Sequence, residues 1–180
     1  FNCMGTFYEL PAENADGYAK IRPVSSHNFR INDYASYRGM LVLTGITPEI
    51  GKNNPHVIVS DDKKAAVWAG VIDDLWKLGK PTGRGGPWKD SEVKKTIPSD
   101  SYLIGFYDEK ELTLSHQGQK EVVFTVEVDP TGNGDWMEYM TFTVKAGELL
   151  KYSFPEGYEA RWIRFITDSD VKVTTWLEYR

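Results

Sequence analysis

The polar residues between His27 and Arg38 form the densest group of chemically active side chains in the first half of the sequence. Arg30 and Arg38 suit a carboxylate on an acidic sugar, because a guanidinium donates two parallel hydrogen bonds to a carboxylate. His27 can gain or lose a proton near neutral pH and so act as a general acid or base. The alternative is structural: Arg30 pairs with Asp33, and Arg38 caps a carbonyl at a strand edge.

A second candidate is the carboxylate pair Asp73 and Asp74, which follows a buried-looking strand and precedes Trp76. Glycoside hydrolysis uses two carboxyl groups about 5–10 Å apart across a cleft. An acid at a strand end beside an indole combines a raised pKa with a surface on which a sugar ring can stack. The same residues suit the cap of a short helix, which is the interpretation we favour.

Aromatic residues make up 13% of the chain. Indoles on a β-surface stack on pyranose rings while their N–H groups stay hydrogen-bonded. Three tryptophans next to turns, Trp76, Trp88 and Trp136, therefore predict carbohydrate contacts, with packing as the alternative. Trp162 and Trp176 fall in alternating strands, where we expect core packing.

The sequence predicts neither a metal site nor a cofactor. His56 and His116 are isolated, and the chain has one cysteine, so a zinc site has no basis. Asp129, Asn133 and Asp135 carry calcium-type oxygens but lack the spacing of an EF-hand, and we favour a hairpin turn there. Gly83–Gly86 lacks the Lys-Ser/Thr ending of a phosphate loop.

Composition limits the classes of partner that the chain can bind. The 180 residues include 21 basic and 26 acidic side chains, a net charge of −5, which argues against nucleic-acid binding because that requires a basic face. No apolar run approaches the ~20 residues that span a bilayer. Because the chain begins at Phe1 rather than Met, we expect it to be a processed or partial chain.

Residues 1–80 predict an antiparallel segment with the size of one propeller blade or a small meander. Met40–Ile46 is a continuous apolar run typical of a buried strand. His56–Ser60 and Ala65–Ile72 flank the polar turn Asp61–Lys64 and predict a hairpin. Asp73–Gly79 predicts one short helical turn.

Residues 81–180 predict an antiparallel β-sandwich, with Thr82–Trp88 as a linker before it. Strand signals recur at the spacing typical of two packed sheets. The fold class is therefore all-β, a blade-like segment followed by a sandwich. The expected strands are Tyr102–Tyr107, Glu111–His116, Val122–Asp129, Met137–Val144, Leu149–Phe154, Ala160–Thr167 and Val171–Tyr179.

Three stretches together resemble the C-terminal part of large secreted proteins of Bacteroidetes-type polysaccharide-degrading bacteria, some of them glycoside hydrolases. In those proteins a β-propeller precedes a small β-sandwich. The resemblance implies a secreted, periplasmic or cell-surface protein whose partners are a poly- or oligosaccharide and the upstream propeller of the same polypeptide. It rests on Ser26–Asp33 with Tyr37–Gly39, on Ile72–Pro81 with Gly85–Trp88, and on Phe154–Tyr158 with Trp162–Arg164.

We therefore expect an accessory portion of a secreted glycan-active protein that contacts carbohydrate or is purely structural. The alternative is the catalytic part of a glycoside hydrolase or lyase acting on an acidic polysaccharide. Its site would use His27, Arg30, Arg38, Asp73 and Asp74.

Overall fold

The computed structural model describes residues 1–49 and 52–180. It divides into two compact units, the first made of Phe1–Glu9 with Pro23–Lys80 and the second of Leu10–Arg22 with Pro81–Arg180. Regular structure is almost entirely antiparallel β, which confirms the all-β class. The helices described are short 3-10 turns at Glu13–Ala15, Gly17–Lys20 and Ile72–Lys77. Among the described residues, no helix is long and apolar enough to cross a membrane.

The first unit contains two sheets, with strand orders β1-β2-β3 and β4-β5-β7-β6. The predicted hairpin is present as the pair β6–β7. However, β5 pairs with β7 rather than with β6, so the four strands do not follow the sequential order of a meander. The strands are β1 (Asn2–Cys3), β2 (Thr6–Glu9), β3 (Arg22–Ser26), β4 (Asp33–Tyr37), β5 (Met40–Ile46), β6 (Val57–Val59) and β7 (Ala66–Gly70).

Two tight turns set the hairpins of this unit. Arg38 and Gly39 join β4 to β5 with φ values of 50° and 80°, and Met4 and Gly5 join β1 to β2 in the same way. Positive φ at both central residues defines the type I′ turn, whose twist matches that of the flanking strands. The unit's core surrounds the fully buried Trp68 and is completed by Phe7, Val24, Leu43, Ile46, Ala66 and Leu75.

The second unit consists of two four-stranded sheets, ordered β13-β10-β15-β8 and β12-β11-β14-β9, an arrangement consistent with the predicted β-sandwich. Alternate side chains of β11 and β14, such as Phe124 and Phe165, are fully buried between them. The strands are β8 (Gly83–Val93), β9 (Tyr102–Leu103), β10 (Lys110–His116), β11 (Val122–Asp129), β12 (Met137–Val144), β13 (Leu150–Ser153), β14 (Trp162–Thr167) and β15 (Val171–Tyr179).

The predicted linker at Thr82–Trp88 is wrong. Gly83–Val93 is the strand β8, which pairs with β15 at the edge of the first sheet. Its glycines mark close packing rather than flexibility. A Cβ at Gly85 would overlap the hydroxyl of Tyr102, so that side chain would have to move. A Cβ at Gly86 would overlap the backbone carbonyl of Thr175, so this position admits only a residue without a side chain.

We predict that Gly86→Ala lowers the free energy of unfolding by more than ~2 kcal/mol, because the added methyl forces β8 away from β15. The matched control is Gly83→Ala in the same strand, where the new Cβ would meet the Tyr179 ring at an ordinary 3.6 Å. The control should change stability by less than ~0.5 kcal/mol. Equal denaturant midpoints for the two variants would contradict the close packing of β8.

Candidate functional site

The structure places His27 in a structural role between two segments of the first unit. Its Nε2 lies 3.1 Å from the Asn2 side-chain oxygen, and its Nδ1 accepts a hydrogen bond of 3.1 Å from the Phe29 N–H. Burial lowers the pKa of His27, which favours the neutral imidazole. Both ring nitrogens are therefore already engaged.

Arg30 precedes the first residue of β4 by three positions, Arg38 directly follows its last residue, and both are exposed. Arg38 occupies the β4–β5 turn with its guanidinium carbon 5.3 Å from the Tyr37 ring centroid. A five-residue strand separates its two ends by about 13 Å. The backbone therefore does not hold the two guanidinium groups side by side for one carboxylate.

Asp74 caps the short helix at Ile72–Lys77, as the favoured interpretation holds. Its carboxylate accepts hydrogen bonds from the Lys77 ammonium at 2.8 Å and the Val71 N–H at 3.0 Å, and lies 3.6 Å from His56 Nε2. The hydrogen bond from Lys77, followed by that from Val71, lowers the pKa of Asp74. This is opposite to the raised pKa that a general acid requires. Asp73 is exposed.

The candidate binding tryptophans have different surroundings. Trp76 is 49% exposed beside Asp74. Trp88 packs against the sandwich core, with its ring 6.4 Å from that of Phe165, so the structure favours packing for this residue. Trp176, expected in the core, is only half-buried, and the Lys89 ammonium lies 4.9 Å from its ring centroid.

The outer face of β14 brings together aromatic and charged side chains of the second unit. Ile163 and Phe165 point into the core, so Arg164 between them points outward. The Arg164 guanidinium carbon lies 4.3 Å from the Trp136 ring centroid, and Arg164 Nε donates a 2.5 Å hydrogen bond to Glu127 of β11. The Arg164 cation therefore packs against one face of the Trp136 ring.

The segment Leu10–Arg22 covers the neighbouring outward position of β14, a contact that the sequence did not indicate. Trp162 is 6% exposed because its indole N–H donates to the Ala19 carbonyl at 2.9 Å and its ring lies 5.7 Å from that of Tyr18. Tyr18 itself is 68% exposed. Ala19 and Trp162 are 143 positions apart, so no local sequence signal indicates that Tyr18 packs here. The rings of Trp136 and Tyr18 are called the two aromatic platforms from here on.

Asp129 organises the loop that precedes Trp136. Its carboxylate accepts hydrogen bonds from the N–H groups of Thr131, Gly132 and Gly134 at 3.1, 2.8 and 2.7 Å. Burial alone would raise the pKa of Asp129, but these N–H groups outweigh it and hold the pKa below its usual value. Asp129 therefore shapes the hairpin loop, the role that we favoured over calcium binding.

The same loop anchors the covering segment. The Lys20 ammonium donates to the Thr131 carbonyl at 2.5 Å and to the Asn133 side-chain oxygen at 2.6 Å. A Cβ at Gly132 would lie 2.7 Å from the Ala19 carbonyl, so the loop and the segment are in close contact. Trp136 and Tyr18 thus depend on one loop for their positions.

Comparisons with known proteins give little to set beside this geometry. No protein-family model matches the chain, and no curated protein matches it. A solved structure titled "CBM4 structure and function" aligns with 87% of this chain and 75% of that chain, at 13% identity and a TM-score of 0.25. That TM-score is too low to establish a shared fold.

We predict that Asp129→Asn destabilises the second unit at neutral pH by about 2–3 kcal/mol, because an amide cannot accept from all the loop N–H groups at once. In the parent, a lowered folded-state pKa adds stability above the unfolded pKa, and this stability is lost as pH falls through the folded pKa.

Thermal unfolding followed by circular dichroism from pH 7 down to pH 2 measures both effects. The variant should lose less stability on acidification than the parent does. Asp135→Asn, an exposed carboxylate in the same loop, is the matched control and should follow the parent's pH profile. If Asp129→Asn lost stability on acidification as steeply as the parent does, the role of the Asp129 carboxylate in holding the loop would be contradicted.

Proposed function

We propose that this chain is a carbohydrate-contacting accessory portion of a glycan-active protein and that it binds sugar on the outer face of β14, β11 and β12. The observation that carries the proposal is the half-buried Trp136 indole, fixed against the Arg164 guanidinium beside Glu127. A fixed aromatic plane with adjacent hydrogen-bonding groups matches both sides of a sugar ring, its apolar face and its hydroxyl edge.

The neighbouring side chains support binding of hydroxyl groups. Thr125 and Glu127 of β11 point to the same face as Arg164, and their partners on β12 are Thr141 and Glu138. Hydroxyl and carboxylate oxygens accept hydrogen bonds from sugar hydroxyls, and the guanidinium donates to them. The surface is thus polar around one aromatic plane.

The wider context is part of the same proposal. The resemblance of the sequence to Bacteroidetes-type polysaccharide-degrading proteins suggests secretion to the periplasm or cell surface and an upstream β-propeller in the same polypeptide. In that setting the second unit would hold substrate near a catalytic domain elsewhere in the protein.

A glycoside hydrolase or lyase centred on the first unit is the less supported alternative. The pKa of Asp74 is lowered rather than raised, and both nitrogens of His27 are engaged. Arg30 and Arg38 lie before and after β4, on opposite sides of the strand along the chain.

We predict that Trp136→Ala weakens binding to any glycan that the parent retains by at least about tenfold, equivalent to ~1.4 kcal/mol. Screening the parent on a glycan array, followed by titration calorimetry with the strongest hit, measures the change. Trp176→Ala is the matched control, since Trp176 is also a half-buried indole beside a cation but lies on the other sheet. Equal losses in both variants, with folding intact, would contradict the proposed face.

A further inference from the structure

We infer that the binding face takes an extended, uncharged oligosaccharide lying along β14 across two aromatic platforms, Tyr18 and Trp136. This inference rests on the proposed function and specifies its ligand. It adds a second subsite, at Tyr18, and excludes the acidic polysaccharides that the arginines of the first unit suggested.

The spacing of the two platforms follows from the register of β14. Trp162 and Arg164 are two residues apart and point outward together, so their backbone positions differ by about 7 Å along the strand. The Tyr18 ring lies 5.7 Å from that of Trp162, and the Trp136 ring lies 4.3 Å from the Arg164 guanidinium carbon. The two platforms therefore pack on successive outward positions of β14, an arrangement that suits neighbouring rings of an extended chain.

The Tyr18 platform is exposed yet fixed. The neighbouring Ala19 carbonyl accepts the indole N–H of Trp162, and Lys20 is bonded to the loop after Asp129. Tyr18 keeps 68% of its surface exposed while the residues that follow it are anchored. A ring ordered before binding loses less conformational entropy when a ligand stacks on it.

The charge of the face favours an uncharged ligand. Glu127 and Glu138 are cross-strand partners on β11 and β12, next to a β-bulge between Val126 and Glu127, so the two carboxylates lie on neighbouring strands of the same face. Asp135 precedes Trp136 in the chain. Arg164 is already hydrogen-bonded to Glu127, Lys20 to the loop and Arg161 to the Ile21 carbonyl. Glu138 and Asp135 have no such cation partner among the described contacts, so a uronate or sulfate at the Trp136 end of the face would meet these two carboxylates. Sugar hydroxyls, in contrast, donate to those carboxylates.

The test is titration calorimetry of the full chain with neutral linear oligosaccharides of increasing length, built from glucose, xylose or mannose. Monosaccharides and oligogalacturonate serve as comparison ligands. We expect affinity for the preferred neutral series to rise at least about tenfold from one sugar to a chain that reaches both platforms. Oligogalacturonate should bind more weakly than a neutral chain of equal length.

Variants then test the second subsite. Tyr18→Ala should remove most of the rise in affinity with oligosaccharide length while leaving monosaccharide binding at Trp136 unchanged. Tyr18→Phe, which keeps the aromatic ring, should retain that rise. Tyr37→Ala, which removes a similarly exposed tyrosine of the first unit, is the matched control and should bind as the parent does. Circular dichroism of each variant checks folding. The dependence of the parent's affinity on oligosaccharide length is measured without any variant, so it stands even if a variant fails to fold.

The outcomes separate the inference from the proposal on which it rests. Absence of binding to every glycan overturns both. Binding that requires Trp136 but is independent of chain length, unaffected by Tyr18→Ala in a folded protein, or stronger for oligogalacturonate overturns the inference alone.

Discussion

The carboxylate of Asp129 is the interaction on which the candidate site depends. It is 2% exposed and gathers successive backbone N–H groups, which fixes a loop containing two glycines at positive φ. The loop then accepts Lys20 and leads directly into Trp136. A buried charge is tolerated here because the polypeptide backbone itself supplies the solvation that water would otherwise provide.

Because side chains alternate along β14, this one strand contributes both to the core and to the outer face. Ile163 and Phe165 fill the space between the sheets, whereas Trp162 and Arg164 carry the aromatic platforms outside. Core packing therefore fixes the register of the binding face, since a shift by one residue would exchange the two sets.

Sequence patterns predicted the strands whose bounds depend on local interactions. The bounds of Val122–Asp129, Met137–Val144 and Val171–Tyr179 were predicted correctly, because their alternation and flanking turns are local signals. Gly83–Val93 was missed because the need for glycine comes from Tyr102 and Thr175, which no local pattern reveals. Trp136 was recognisable as a turn-adjacent indole. Tyr18, Arg164 and Glu127 were not, since their importance arises only from tertiary contacts.

The pairing of β8 with β15 has a consequence for synthesis of the chain. The first strand of the sandwich begins at Gly83, and its partner ends at Tyr179. During synthesis on a ribosome, β8 therefore has no strand partner in its sheet until residues 171–179 have emerged. Leu10–Arg22 likewise waits for Trp162. Such distant pairings slow folding and leave the edge of β8 unpaired for longer than the strand edges of the local hairpins in the first unit.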